Sequence, residues 1–308
     1  MRGRRQRRKS PWILASTVGS PWSPERAGGL GRAHALELGR RGAKVVVNDM
    51  GTSLSGDGVE SGRAAIVVKE IEALGGTAVA DVNSVATTEG GEALIRTAVS
   101  AFGRVDVVVN NAGILRDKTF QNTGPDDVDP VLDVHLKGAF NVTRPAWRIF
   151  REQGFGRVVV TSSSAGFFGN FGQASYASAK MGLVGLIKVL AIEGRKYDIR
   201  ANAVGPVALT RMTEGFENPL ADRLDPALVS SVVAYLCHDS CELSGEVLSA
   251  GAGRVARVFV GMTRGYVNGS LSAEDVRDHL AEVFDDTGYQ VPGNSLAEME
   301  LLAEMLGK

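Results

Sequence analysis

The chain of 308 residues has two cysteines, Cys237 and Cys241, too few for a disulfide framework. That excludes the small cross-linked secreted scaffolds and suits a reducing, cytoplasmic setting. No apolar run approaches the ~18–20 residues that a membrane-spanning helix needs, so no span is expected. No internal repeat is visible, and neither charge sign dominates, with 34 basic residues against 35 acidic ones. A hydrophobic fraction of 44% and a charged fraction of 22% are ordinary for a globular protein. The length allows one large α/β domain or two modest ones. Glycine is plentiful at 38 residues, as expected where strand-to-helix turns come close to a ligand.

The near-neutral total hides an uneven distribution. Six of the first nine residues are basic (Arg2, Arg4, Arg5, Arg7, Arg8 and Lys9), and without them 28 basic residues face 35 acidic ones, leaving about −7. Such an arm fits a nucleic-acid or acidic-lipid contact, a secretion signal or a solvated extension. A start displaced by a shifted frame or start codon is a further reading. Trp12–Val18 is short for a signal, and no nucleic-acid partner is expected. The expected division is an atypical basic extension over 1–27, a body over 28–258 and a helical tail over 259–308.

The chain is organised around residues 161–180. A β-branched run, Val158-Val159-Val160, reads as a buried strand that delivers three serines at its end. A loop rich in glycine and phenylalanine follows, then an apolar helix from Tyr176 to Glu193. Tyr176 and Lys180 stand four residues apart, so both project from one helix face. Open α/β sheets place ligands at the carboxyl ends of their strands, and Ser163 is the serine best placed there to meet Tyr176. A free phenol ionises near pH ~10, and an ammonium a few Å away lowers that value. A hydroxyl, a phenol and an ammonium in one cleft suit proton transfer at a substrate oxygen. The bare Tyr-x-x-x-Lys pair is common by chance; its place after a strand, a serine cluster and a glycine loop makes it specific.

This stretch resembles the active site of the short-chain dehydrogenase/reductase family. More narrowly, Gly169-Asn-Phe-Gly-Gln-Ala174, Ala191-Ile-Glu-Gly-Arg-Lys196 and Leu236-Cys-His-Asp-Ser-Cys-Glu242 resemble one branch. That branch is the (3R)-hydroxyacyl-CoA dehydrogenase domain of the peroxisomal multifunctional enzyme, with its bacterial single-domain relatives. The resemblance spans roughly residues 28 to 258. It implies a Rossmann-like fold, a doubly wound parallel sheet with helices on both faces, and a short helical C-terminal tail. It also implies NAD-dependent oxidation of a secondary alcohol. Ser163 would hold the substrate oxygen and Tyr176 would remove its proton. Lys180 would bind the nicotinamide ribose and depress the tyrosine's pKa. The substrate implied is a 3-hydroxyacyl-CoA of fatty-acid or steroid side-chain breakdown. A 17β-type hydroxysteroid is the alternative within the same chemistry. A catalytically silent homologue serving as a subunit is the alternative outside it. A homodimer or homotetramer is expected.

Further motifs take their roles from the resemblance. The cofactor loop should read Gly-x-x-x-Gly-x-Gly; Gly29-Leu30-Gly31 matches its second half, and Glu25 stands where its first glycine belongs. Pro21 and Pro24 do not suit a central strand, so Trp12–Val18 with Gly19 is the other candidate for strand and first glycine. Asp49 ends the second strand, where a carboxylate bonds the adenosine ribose and repels a 2′-phosphate; it argues for NAD. Asn83 and Ser84 would contact the adenine, with Asp81 as a competitor for that role. Asn110-Asn-Ala-Gly113 would lie along the cofactor, and Thr210 after Gly205-Pro206 would reach the nicotinamide carboxamide. His135 stands where most members carry asparagine and is expected to be structural. Cys237-His238 and Cys241 lack a second ligand pair, so no metal is expected. Ser272-Ala-Glu-Asp275 and Ser295-Leu-Ala-Glu298 read as capping boxes of two tail helices. The second has Leu296, Met299, Leu302 and Leu306 on one face, suited to packing on the body or a partner subunit.

Overall fold

A computed structural model describes residues 13–17, 29–51, 62–208 and 221–307. The chain divides after Arg257 into two compact units. The order of elements begins β1 (Ile13–Thr17), α1 (Leu30–Arg40), β2 (Lys44–Asn48), α2 (Arg63–Ala73), β3 (Thr77–Asp81), α3 (Thr88–Phe102) and β4 (Val107–Asn110). It continues through α4 (Pro125–Leu132), α5 (Gly138–Gln153), β5 (Gly156–Thr161), α6 (Ser164–Phe168) and α7 (Ala174–Gly194). Then come β6 (Ile199–Val207), α8 (Pro226–Cys237), β7 (Val247–Gly251) and β8 (Arg254–Val258).

The strands lie in the order β3-β2-β1-β4-β5-β6-β7-β8. Every pairing from β3 across to β7 is parallel. This is the doubly wound sheet that the resemblance implied. A parallel sheet is covered on both faces, so its strands are apolar throughout rather than alternating. Val45–Val47, Val107–Val109 and Val158–Val160 are all buried. Helices α1, α2 and α8 pack together on one face, and α3, α5 and α7 cover the other. Past β7 the chain reverses through Ala252 and Gly253, whose positive φ values of 51° and 79° suit a two-residue hairpin turn. That added strand, β8, was not foreseen.

The first strand is Ile13–Thr17, seated between β2 and β4 with Ala15 opposite both Val46 and Val108. The division expected at residue 27 therefore does not mark the start of the sheet. A β-branched and apolar stretch closer to the N-terminus fills the central slot, as the Trp12–Val18 alternative allowed. Gly19 and Glu25 lie outside the described residues.

Helix α7 is long and apolar enough by length and composition to cross a membrane, with a mean hydropathy of 1.4 over its window. The sequence reading found no such run. One face packs on the body, with Ala179, Lys180, Leu183, Val184 and Ile187 buried, while Met181, Val189 and Ile192 are exposed.

At the start of β5, Arg157 is fully buried. Its guanidinium donates to the carbonyls of Asp198 (2.7 Å), Gly156 (2.9 Å), Asp239 (3.2 Å) and His238 (3.3 Å). It also lies over the Phe155 ring at 4.2 Å. It thus ties β5 to the start of β6 and to the end of α8. Cys237 closes α8 and is buried with Cys241, and no cluster of metal-ligating side chains occurs among the described residues.

The second unit, Val258–Lys308, holds α9 (Ala273–Asp278), α10 (Leu280–Val283) and α11 (Ser295–Met305). A bridge joins Met262 and Gln290, each amide donating to the other's carbonyl at 2.8 Å. Ser272 and Asp275 cap α9 reciprocally. The cap of α11 is Asn294, whose Oδ1 accepts the Ala297 N–H at 3.0 Å. Ser295, expected as the cap, is the first helical residue instead.

Candidate active site

The carboxyl ends of β1 to β5 point to one rim of the sheet. The order reverses between β1 and β4, and a cleft opens at such a switch point. The expected residues fall along that rim. Gly29 caps α1, with Leu30 and Gly31 opening its first turn, where no acidic side chain stands. Asp49 follows β2, Asn83 and Ser84 follow β3, and Asn110 ends β4. Ser163 follows β5, with Tyr176 and Lys180 on α7. Thr210 lies outside the described residues.

The three catalytic candidates converge. Ser163 caps α6, accepting the Ala165 N–H at 3.2 Å, and its hydroxyl stands near enough to the Tyr176 phenol to favour the phenolate. Lys180 Nζ stands 5.4 Å from the centre of the Tyr176 ring. The neighbouring hydroxyls have other work. Ser162 Oγ donates to the Lys180 carbonyl at 2.7 Å, and Thr161 Oγ1 donates to Asn111 Oδ1 at 3.0 Å. The Thr161 carbonyl receives the Lys180 ammonium at 2.6 Å. The strand end thus fixes the lysine through its backbone and leaves Ser163 to face the tyrosine.

Burial drives both partners toward their uncharged forms. It pushes the Tyr176 phenol above its ordinary value; the Ser163 hydroxyl pulls the other way and the Asp117 carboxylate adds to the rise. It brings the Lys180 amine down to about 7. Desolvation is the largest of these influences on the phenol.

Sequence reasoning missed how closely His135 joins this group. A π-helical turn over Asp133–Lys137 carries it inward, as such turns often do near functional sites. Its Nε2 lies 2.8 Å from the Ile114 carbonyl and 3.0 Å from the Ile114 amide, while Nδ1 is buried without a partner among the described residues. The imidazole meets the Tyr176 ring edge-on at 5.2 Å. Gly113 makes room: a Cβ there would stand 2.3 Å from His135 Cε1. Burial, and then the Lys180 charge, hold its pKa well below the ordinary range. In its neutral form it walls the site beside the tyrosine. No local sequence signal marks it, because the contact spans two elements.

The adenine end differs in one respect. Asp81 was a competing candidate, but its carboxylate is consumed by the protein. It accepts from Asn48 Nδ2 (2.7 Å), Asn83 Nδ2 (2.8 Å), Asn83 N (3.0 Å) and Thr97 Oγ1 (2.8 Å). Asn110 Nδ2 likewise donates to Thr143 Oγ1 at 3.0 Å. Asp49 is buried, and its Oδ1 accepts the Gly51 N–H at 2.7 Å. Its pKa is raised by burial, opposed by that hydrogen bond and by Arg63.

Comparison with known proteins agrees with this geometry. The model of the short chain dehydrogenase family matches residues 26–219. A short-chain type dehydrogenase/reductase of Mycobacterium tuberculosis is 48% identical, over 87% of this chain and 95% of its own length. The peroxisomal multifunctional enzyme type 2 of Mus musculus is 44% identical over 91% of this chain, which spans 38% of the mouse protein's length. Among solved structures, the full-length peroxisomal multifunctional enzyme type 2 of Drosophila melanogaster superposes with a TM-score of 0.79 at 37% identity. That match covers 97% of this chain and 50% of the fly chain.

Proposed function

The chain belongs to the short-chain dehydrogenase family of oxidoreductases, and from that premise we propose that it is an NAD-dependent dehydrogenase of the 3-hydroxy group of an acyl-CoA. The observation that carries this is the convergence of Ser163, Tyr176 and Lys180 at the end of β5, beside the switch point of the sheet. Enzymes of this family use a nicotinamide dinucleotide, and the residues present fit one. The amides of the first turn of α1, which a helix leaves without intrahelical partners, have no acid among them and suit a pyrophosphate. Asp49 would take the adenosine ribose, and its carboxylate would repel a 2′-phosphate. When bound, the nicotinamide supplies the hydride acceptor.

The protein's own part is binding and proton transfer. The Ser163 hydroxyl orients the carbinol oxygen. Tyr176 takes the hydroxyl proton as the carbon is oxidised to the ketone. Lys180, poised about neutrality, would in its charged form stabilise the Tyr176 phenolate that accepts this proton, and would hold the nicotinamide ribose. His135 fixes the tyrosine ring and the Ile114 backbone. A cytoplasmic homodimer or homotetramer acting without nucleic acid completes the reading.

Rates on a 3-hydroxyacyl-CoA and on a steroid alcohol test the substrate; faster steroid turnover would replace the first reading with the hydroxysteroid one. Calorimetric titration tests the cofactor. NADH should bind at least about tenfold more tightly than NADPH, the size of one like-charge contact. Failure to bind either would instead support a catalytically silent subunit.

A further inference from the structure

Three large rings of the first unit stand in water: Phe168 is 77% exposed, Phe171 87% and Phe120 84%. Single exposed apolar residues are common and mean little. These three lie on two backbone segments bound side by side, and those segments are tied down. Phe167 is the base. It seats on β6 at Gly205, where a Cβ would come within 2.5 Å of its ring, and Phe168 meets it edge-on at 5.9 Å. The loop beyond turns at Gly169 and Gly172, both with φ of 78°. It is closed by Gly169 N–H to the Ala165 carbonyl (2.9 Å) and by Asn170 Nδ2 to Gln173 Oε1 (3.0 Å). Phe171 sits at its tip. The neighbouring segment joins through Lys118 N–H to the Gly172 carbonyl (2.9 Å) and Gln173 Nε2 to Asp117 Oδ2 (2.7 Å), and it carries Phe120 two residues on.

The turn itself asks for glycine and asparagine, not for a phenylalanine at its tip. A fixed loop that displays apolar rings is suited to an apolar ligand. The same loop begins at Ser163 and ends at Tyr176, so a molecule whose oxygen lies between those two groups starts within its span. We propose that Phe168 and Phe171, with Phe120 beside them, form a rest for the hydrocarbon chain of the substrate and make the enzyme selective for long acyl chains. This rests on the hydroxyacyl reading above. Five helical residues from Ser163 to Phe168 rise about 7.5 Å. An extended chain covers that in about six bonds, at roughly 1.2 Å each. Chains of about ten carbons and longer therefore reach the rings, and a four-carbon chain does not.

The test uses the full chain with saturating NAD and 3-hydroxyacyl-CoA substrates of four, ten and sixteen carbons. In the wild type, kcat/KM should rise with length. In Phe168→Ser and Phe171→Ser, the ratio of sixteen-carbon to four-carbon kcat/KM should fall about tenfold each, the scale of one buried apolar side chain. An unchanged ratio overturns the proposal. A parallel calorimetric comparison of butyryl-CoA with palmitoyl-CoA needs no turnover. If no 3-hydroxyacyl-CoA is oxidised yet the variants lose the preference for palmitoyl-CoA, the hydroxyacyl reading falls and the chain rest stands. Loss of oligomers by sedimentation in the double variant would give the rings to a second copy of the chain. Loss of binding to phosphatidylcholine vesicles would give them to a lipid surface. Either result overturns the proposal.

Discussion

Two buried cations stand at opposite ends of one strand, and they are treated differently. Arg157, at the start of β5, spends its donors on four backbone carbonyls. Lys180, held at the far end of β5, has one hydrogen-bond partner for its ammonium among the described residues, the Thr161 carbonyl. Arginine stays charged in any protein setting, so a saturated guanidinium is a fixed strut. Lysine can lose its proton when buried, and Lys180, with a pKa brought to about 7, is near that point. A saturated cation holds the fold together, whereas an under-satisfied one beside a phenol is suited to chemistry. The amino end of the sheet is therefore built for stability and the carboxyl end for reaction.

Variants at four positions probe this contrast. Tyr176→Phe should lower kcat about 10³-fold, the usual worth of a positioned acid or base. The thermal midpoint should stay within a few degrees, and retained turnover would remove Tyr176 from the mechanism. Arg157→Leu should do the reverse. It strands four carbonyls, and at 1–3 kcal/mol for each unsatisfied group, partly relieved by relaxation, the loss is about 4 kcal/mol of stability. Denaturant midpoints measure it, and the activity of the fraction still folded should be near normal.

Lys180→Met separates the two roles with pH. The wild-type lysine is charged below about pH 7 when folded and below about 10.4 when unfolded. In the window between, the unfolded chain binds the extra proton, so wild-type stability rises with pH across it. At pH 6 the variant should therefore be more stable than wild type by on the order of a few kcal/mol. That advantage should shrink through the window and vanish above it, while kcat falls about 10²-fold throughout. A variant less stable at every pH would make Lys180 a strut like Arg157. The smallest effect is expected from His135→Leu, which frees Ile114 and the tyrosine ring. A loss of about tenfold in kcat and ~1–3 kcal/mol in stability would mark a positioning residue. His135→Asn, which can still bond the Ile114 backbone, should recover most of both.

How much of this was legible varies by region. The valine runs of β2, β4 and β5 named themselves, because a strand covered on both faces must be apolar along its whole length. The Tyr176–Lys180 spacing and the choice of Ser163 followed from helix periodicity and the carboxyl-end rule, and the folded chain places the three together. The N-terminus was harder. Its prolines and basic residues obscured the five-residue strand at Ile13–Thr17, which earns its place only by pairing with β2 and β4. Asp81 was open to a ligand-facing role in sequence and is closed by four donors from Asn48, Asn83 and Thr97 in the fold.

By itself the sequence carried the architecture in its periodicity, the family in its resemblance, and the candidate reacting groups in their spacing along one strand end and one helix face. Only the tertiary structure decided which polar groups are spent and which are free. It set Arg157 among carbonyls and left Lys180 with one, and it brought His135 against Tyr176 across two helices. It drove the phenol and the amine toward neutrality. Those outcomes depend on desolvation and on partners far apart in the chain, and neither is encoded in any short stretch of residues.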